Sequence, residues 1–313
     1  EIDGTVYPLR DTDFPTIDPA DPNKLTPEEQ DIIDGLISSF RRSEKLQIHT
    51  RFLYSVGSIY RRHNGNLLYH GCIPCDGNGE FMEFSLYSDT PLKGRAFLDW
   101  ADRLARQGYF APDGSMERLR GLDFLWFLWC GRNSPICGRT KITTFERALI
   151  EDKASYTEPK NPYYVYYGSE EFCRRILDDF DLHKPWSRII NGHMPVKVKE
   201  GEDPRKGGGR LVVIDGGFCK AYHKQTGIAG YTMFFSSHGM RIAAHEPFTT
   251  REEAIHGKKD ITSHSFIVEN LPRRLMISDT DAGEGIKRRI EDLNALLDAY
   301  RSGTIKTDST GRI

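Results

Sequence analysis

A chain of 313 residues, 38% hydrophobic and 28% charged, carries enough apolar material for a core and excludes a disordered polymer, despite a mean hydropathy of −0.54. Its 43 Lys and Arg against 45 acids leave a net charge of −2, so no global basic field exists to hold nucleic acid, and an anionic partner must be small and met locally. The longest strongly apolar stretch, Leu122–Cys130, is too short to span a bilayer, and six cysteines are too sparse for a disulfide scaffold, which points to a reducing cytoplasm.

In chain order, residues 1–25 read as an irregular arm with one short hairpin, because four prolines fall between Thr5 and Pro22. Thr26-Pro27-Glu28-Glu29 places an N-cap Thr, a Pro at the first helical position and a Glu at the third. Ile32, Ile33, Leu36, Ile37 and Phe40 then recur at helical spacing. A second helix is expected over Leu53–Arg62, ending at the Asn64-Gly65 turn, so residues 26–63 read as helical. Asn66–Gly71 reads as a short buried strand within a sheet-forming segment, 64–75. Residues 91–181 read as helical again. Phe97, Trp100, Ala101 and Leu104 mark one helix, and Leu122–Trp129 is apolar almost all round, which predicts burial on every side. Thr143 with Glu146, and Ser169 with Glu170 and Glu171, open two more.

From residue 188 to 248 the rhythm is that of strands: Arg188–His193, Leu211–Ile214, Tyr231–Phe235 and Arg241–Ala244. Lys206–Arg210 is a glycine turn between two of them, and Ser237-His238-Gly239 joins the last two. A closing helix runs over 286–300. This order is α/β, with a mainly antiparallel or mixed sheet in residues 188–245 and helices before and after.

Two histidines stand out by position. His70 ends an apolar strand and precedes Gly71; His193 ends another and follows Gly192. Strand ends opening into glycine loops are where α/β sheets place ligands, and imidazole is the commonest ligand of first-row metals. By position alone, both remain open to a second reading as hydrogen-bonded core histidines. Cys72-Ile73-Pro74-Cys75, with Cys130 and Cys137, offers a structural zinc protein as a further alternative, although a second tight cysteine pair is missing.

Leu68-Tyr69-His70-Gly71-Cys72-Ile73-Pro74 resembles a strand end of calcineurin-like metallophosphatases, and Ile190-Asn191-Gly192-His193-Met194-Pro195-Val196-Lys197 resembles that superfamily's later Gly-His motif. Longer runs are similar to the bacterial class III fructose-1,6-bisphosphatases: Asn64–Pro74, Thr143–Arg147, Lys160–Tyr164, Val213–Phe218 and Thr226–Thr232. The resemblance implies that residues 26–313 are the C-terminal part of a four-layer αββα metallophosphatase sandwich. It implies hydrolysis of fructose 1,6-bisphosphate to fructose 6-phosphate and phosphate, in gluconeogenesis, by two divalent metal ions, manganese foremost. His70 and His193 then ligate one of those ions.

The superfamily's Asp-x-His, Gly-Asp-x-x-Asp-Arg and Gly-Asn-His blocks do not occur here. The bridging carboxylate and general acid are therefore expected upstream of Glu1 or on a separate chain, which leaves the chain's catalytic residues unassigned and its activity alone open. Arg139 and Arg147 in the middle, and Lys197, Lys206 and Lys220 around the His193 strand, are candidates for the sugar phosphates. No nucleic acid or membrane is implied as a partner; a homo-oligomer is compatible. Alternatives are a phosphoesterase of the same superfamily acting on phosphoproteins or nucleotides, and a non-catalytic binding module. If one ion joins the two histidines, their ligating nitrogens must lie within about 4 Å of each other. Their strands must then share a sheet edge, in a sheet that also takes in Leu211–Ile214 and Tyr231–Phe235. Each ring should also have an acceptor that fixes it.

Overall fold

Thr26 opens the first helix with both halves of the anticipated capping box in place. Its hydroxyl accepts from the Glu29 amide at 3.2 Å, and the Glu29 carboxylate accepts from the Thr26 amide at 2.8 Å. This computed structural model describes residues 1–219, 223–228, 230–246, 250–256 and 263–306. The chain forms two compact units: Glu1–Ile59 with Pro74–Pro162, and Tyr60–Ile73 with Tyr163–Ile313.

The first unit is helical: α1 (Pro27–Arg42), α2 (Glu44–Val56), α3 (Gly94–Phe110), α4 (Met116–Cys130) and α5 (Thr144–Leu149). The arm holds turns, with isolated bridges at Ile2–Thr5 and Asp18–Asp21, and Leu9 bridges to Ile150. Helices α3 and α4 meet through two glycines. A Cβ on Gly121 would lie 2.1 Å from the Gly108 nitrogen and 2.4 Å from its Cα. Only hydrogen fits between the backbones there, and this approach seats Phe97, Leu98, Ala101, Leu104, Phe124 and Leu128 in one core. The all-round burial expected of Leu122–Trp129 is corrected: α4 buries Gly121, Phe124 and Leu128, while Trp126 and Trp129 are 65% and 61% exposed. The apolar face of α1 exists as spaced, yet none of its residues is buried.

A half-buried carboxylate, Glu158, ties the end of this unit. Glu158 accepts from the Thr143 hydroxyl at 2.7 Å, the Thr143 amide at 3.0 Å and Arg139 at 2.9 Å, and Arg147 stands 3.6 Å away. Thr143 therefore does not cap α5 with its hydroxyl as expected; Glu158 takes it. Burial pushes the Glu158 carboxyl up, but the Thr143 hydrogen bonds and the two arginines outweigh that and hold it below its ordinary value.

The second unit contains β1 (Tyr60–His63), β2 (Asn66–Tyr69), β3 (Ile189–Asn191), β4 (Arg205–Lys206) and β5 (Leu211–Val213), in the order β1-β2-β3-β5-β4. β2, β3 and β5 are parallel neighbours, and the outer strands are antiparallel. The helix expected over Leu53–Arg62 is corrected: α2 ends at Val56 with Gly57 as its cap, and residues 60–63 form a hairpin with β2. Asn64 and Gly65 have φ of 49° and 84°, the two positive angles of a two-residue hairpin loop, so the turn joins strands instead of ending a helix.

A separate antiparallel sheet comprises β6 (Gly230–Ser236), β7 (Gly239–His245) and β8 (Ser263–Asn270). Tyr231–Phe235 thus leaves the sheet it was expected to share with Leu211–Ile214, because β7 pairs with β6 on one side and β8 on the other. Short helices α6 (Tyr163–Tyr166), α7 (Glu170–Asp179), α8 (His223–Thr226) and α9 (Arg251–His256) intervene, and α10 (Asp281–Arg301) closes the order. The two sheets are joined by Arg188, one residue before β3, which donates to Glu269 of β8 at 2.5 Å with both side chains largely buried.

Two outcomes follow from the first unit. Gly121→Ala should destabilise it by about 2–3 kcal/mol, the usual cost of overpacking where the neighbour is backbone and cannot give; urea unfolding followed by tryptophan fluorescence measures it, and a loss below about 0.5 kcal/mol contradicts the close crossing. The Glu158 contacts contribute stability in full above the ordinary glutamate value of 4.5, and this is lost as pH falls through the depressed folded value. Glu158→Gln should therefore differ most from the parent chain at neutral pH and least near pH 3, in paired thermal melts.

Candidate metal site

β2 and β3 lie side by side and parallel, with Tyr69 opposite Asn191, so both chains leave the sheet at the same edge. His70 follows β2 directly and His193 follows β3 by two residues. The Gly192 amide donates to the His70 carbonyl at 3.1 Å, which extends the pairing past the strand ends. There His70 Nε2 and His193 Nδ1 stand 3.1 Å apart, although 123 residues separate them in sequence, and the rings are nearly perpendicular at 81°. Two metal–nitrogen bonds of about 2.0–2.1 Å at ordinary coordination angles require a separation of roughly 2.9–3.4 Å. The measured distance falls in that window, and the two imidazoles fit two positions on one ion.

The local backbone serves this convergence. His193 has φ of +68°, a left-handed conformation that costs a side-chain-bearing residue about 1–2 kcal/mol. A Cβ on Gly192 would stand 3.3 Å from His70 Nδ1, so its absence leaves room for the His70 ring. The Tyr164 ring stacks near His193 with centroids 6.5 Å apart. His70 is exposed and His193 half-buried, so the pair is open to a ligand.

The ring-fixing acceptor expected for His70 is not there: apart from His193, no group among the described residues hydrogen-bonds its imidazole. Nor do three or more His, Cys, Asp or Glu side chains gather as a metal set among the described residues. Among the described residues the donor set is two imidazoles, and none of the cysteines, Cys72, Cys75 and Cys137 among them, forms a disulfide.

The expected phosphate-binding side chains are dispersed and mostly engaged. Arg139 and Arg147 belong to the Glu158 tie described above. Lys197, four residues beyond His193, pairs with Glu200 at 3.1 Å and remains half exposed. Lys206 pairs with Glu202 at 2.7 Å and lies over the Tyr167 ring. Lys220 lies outside the described residues. Gly216 packs against Gly230, whose Cα would be 2.6 Å from a Cβ at that position.

Two groups beneath the histidines carry no motif of their own in the sequence. Asn191 is 1% exposed, and its carboxamide faces the turn that carries His70, while Tyr163, fully buried, contacts both Asn191 and Tyr69. An asparagine closing the apolar strand Ile189-Ile190 was the available signal, because a buried amide must find partners.

The chain is 50% identical over 308 residues to the fructose-1,6-bisphosphatase class 3 of Clostridium botulinum strain 657, covering 98% of this chain and 46% of the relative. The protein of the same name from Clostridium novyi strain NT is 48% identical over 306 residues, with the same shares covered. The chain thus spans about half the length of the curated relatives it matches. No solved structure matches significantly. The profile of the family described as Firmicute fructose-1,6-bisphosphatase matches residues 1–302, and the chain belongs to that family.

Proposed function

We propose that this chain carries the histidine half of a dinuclear metal centre that hydrolyses fructose 1,6-bisphosphate to fructose 6-phosphate and phosphate. The juxtaposition of His70 Nε2 and His193 Nδ1 at 3.1 Å, in a chain of this family, carries the reading. The relatives bear the name of that activity over a length about twice that of this chain. We place the fold within the αββα metallophosphatase sandwich, as its C-terminal part. A mixed sheet and an antiparallel sheet in one unit, with helices around them, support that placement.

When bound, a pair of divalent ions, manganese in this proposal, would supply Lewis-acid polarisation of the phosphoryl group and activation of the attacking water. His70 and His193 hold two positions on one ion, and their neutral nitrogens offer the lone pairs. The bridging carboxylate and the general acid come from outside the described residues, in the same protein or a separate chain. Lys197 is the nearest basic residue to His193 in sequence, and it meets a substrate phosphate by exchanging its exposed partner Glu200. Such a surface ion pair is worth only about 0–1 kcal/mol, so the exchange is cheap. Six described cysteines without a disulfide support placing the chain in a reducing cytoplasm.

The protein, expressed with whatever coding sequence flanks this chain, should release phosphate from fructose 1,6-bisphosphate when Mn²⁺ is added. His70→Ala and His193→Ala should each lower kcat at least about 100-fold, since each removes one side of the metal. Activity confined to phosphopeptides or dinucleotides would replace the sugar bisphosphate with another substrate of the superfamily. Lys197→Ala should raise KM several-fold with little change in kcat, the pattern of lost ground-state binding; an unchanged KM removes Lys197 from the substrate site.

A further inference from the structure

Asn191 is held in one orientation by everything around it. Its Nδ2 donates toward three successive carbonyls, those of Tyr69, His70 and Gly71, at 3.3, 3.1 and 2.8 Å. Its Oδ1 accepts from the Tyr163 hydroxyl at 3.1 Å. Exchanging the amide's two ends would put oxygen against three carbonyl oxygens, so the orientation is fixed. Tyr163 has one hydroxyl proton, and it goes to Asn191. The 2.7 Å contact between the Tyr69 and Tyr163 hydroxyls must therefore run from Tyr69 to Tyr163.

Successive carbonyls of an extended strand point to opposite sides, so three cannot converge on one nitrogen unless the chain curls around it. The curl occurs where β2 ends, and His70 is its middle residue. We infer that Asn191, oriented by Tyr163 and Tyr69, is the positioning residue of the histidine pair: it sets the backbone from which His70 reaches His193. His70 lacks a ring-fixing acceptor among the described residues, so its placement comes from the backbone side instead. Asn191 also lies two residues before His193 and opposite Tyr69 in the register, so one buried amide fixes the strand ends of both imidazoles.

This inference rests on the two-histidine metal reading, and the experiment separates the two. Mn²⁺ affinity of the full chain is measured by electron paramagnetic resonance of the free ion, with melting temperature recorded in parallel. The variants are Asn191→Asp, Tyr163→Phe, Asn66→Ala, His70→Ala and His193→Ala. Asn66 is the control, because it is a buried asparagine at the opposite end of the same strand pair, where it accepts from the Arg188 amide at 3.1 Å. Asn191→Asp should weaken Mn²⁺ binding about 10–100-fold, the usual cost of removing a group that orients a metal ligand. Tyr163→Phe, which keeps the ring packing and removes the hydroxyl that bonds Asn191 and Tyr69, should weaken it several-fold even if Asn191→Asp fails to fold. Asn66→Ala should lower the melting temperature and leave Mn²⁺ affinity unchanged. Parent-like affinity in Tyr163→Phe, or an equal loss in Asn66→Ala, would overturn the positioning role. Parent-like affinity in both histidine variants would overturn the metal reading itself.

Discussion

The parallel pairing of β2 with β3 is the constraint on which the candidate site depends. Two segments more than a hundred residues apart are brought into register, Tyr69 opposite Asn191, and leave the sheet at one edge. Parallel neighbours need a long crossover and reward it only when both faces are buried. Here Leu67, Ile189, Ile190, Leu211, Val212 and Val213 are all buried, which supplies that reward. The histidines then meet where they follow their strands, with Gly192 small, His193 in a left-handed turn and the curl at His70 gathered on Asn191.

Polar groups inside the fold do most of the specifying. Glu158 gathers Thr143, Arg139 and Arg147 in the helical unit; Arg188 and Glu269 join the two sheets of the other; Asn191 gathers three carbonyls and a phenol. Each is a buried or half-buried group whose hydrogen-bonding capacity must be met, so each permits few arrangements of the chain around it. Apolar packing is less discriminating. The apolar stripes of α1 and α10 have the spacing of core helices, and Ile290, Leu293, Leu296 and Leu297 are each more than two-fifths exposed. Periodicity states which face of a helix is apolar; it does not state what covers that face.

Residue spacing and turn chemistry read correctly wherever the information was local. The Thr26 capping box, the Ser169 cap of α7, the hairpin at Ser237-His238 and the strand cores at 66–69, 189–191 and 211–213 were all legible, because each is decided within a few residues. The errors came where the partner was distant. Residues 60–63 could continue a helix by local propensity, but Asn64-Gly65 supplies the two positive φ angles that a hairpin needs. The run Leu122–Trp129 looked buried all round, but the Gly108–Gly121 crossing gives α4 one intimate neighbour.

The sequence by itself determined the capped helix α1, the strand cores of β2, β3 and β5 to β7, the closing helix, the two strand-end histidines beside their glycines, and the family resemblance that links them to metal chemistry. Those are properties of short windows and of motif order, which survive without coordinates. Only the tertiary structure decided that β6 belongs to a separate sheet, that Arg139 and Arg147 face a half-buried carboxylate, and that Asn191 underlies both histidines. Each of these depends on contacts between residues far apart in the chain, where the cost of closing the loop is met by burial and hydrogen bonding that no local pattern encodes.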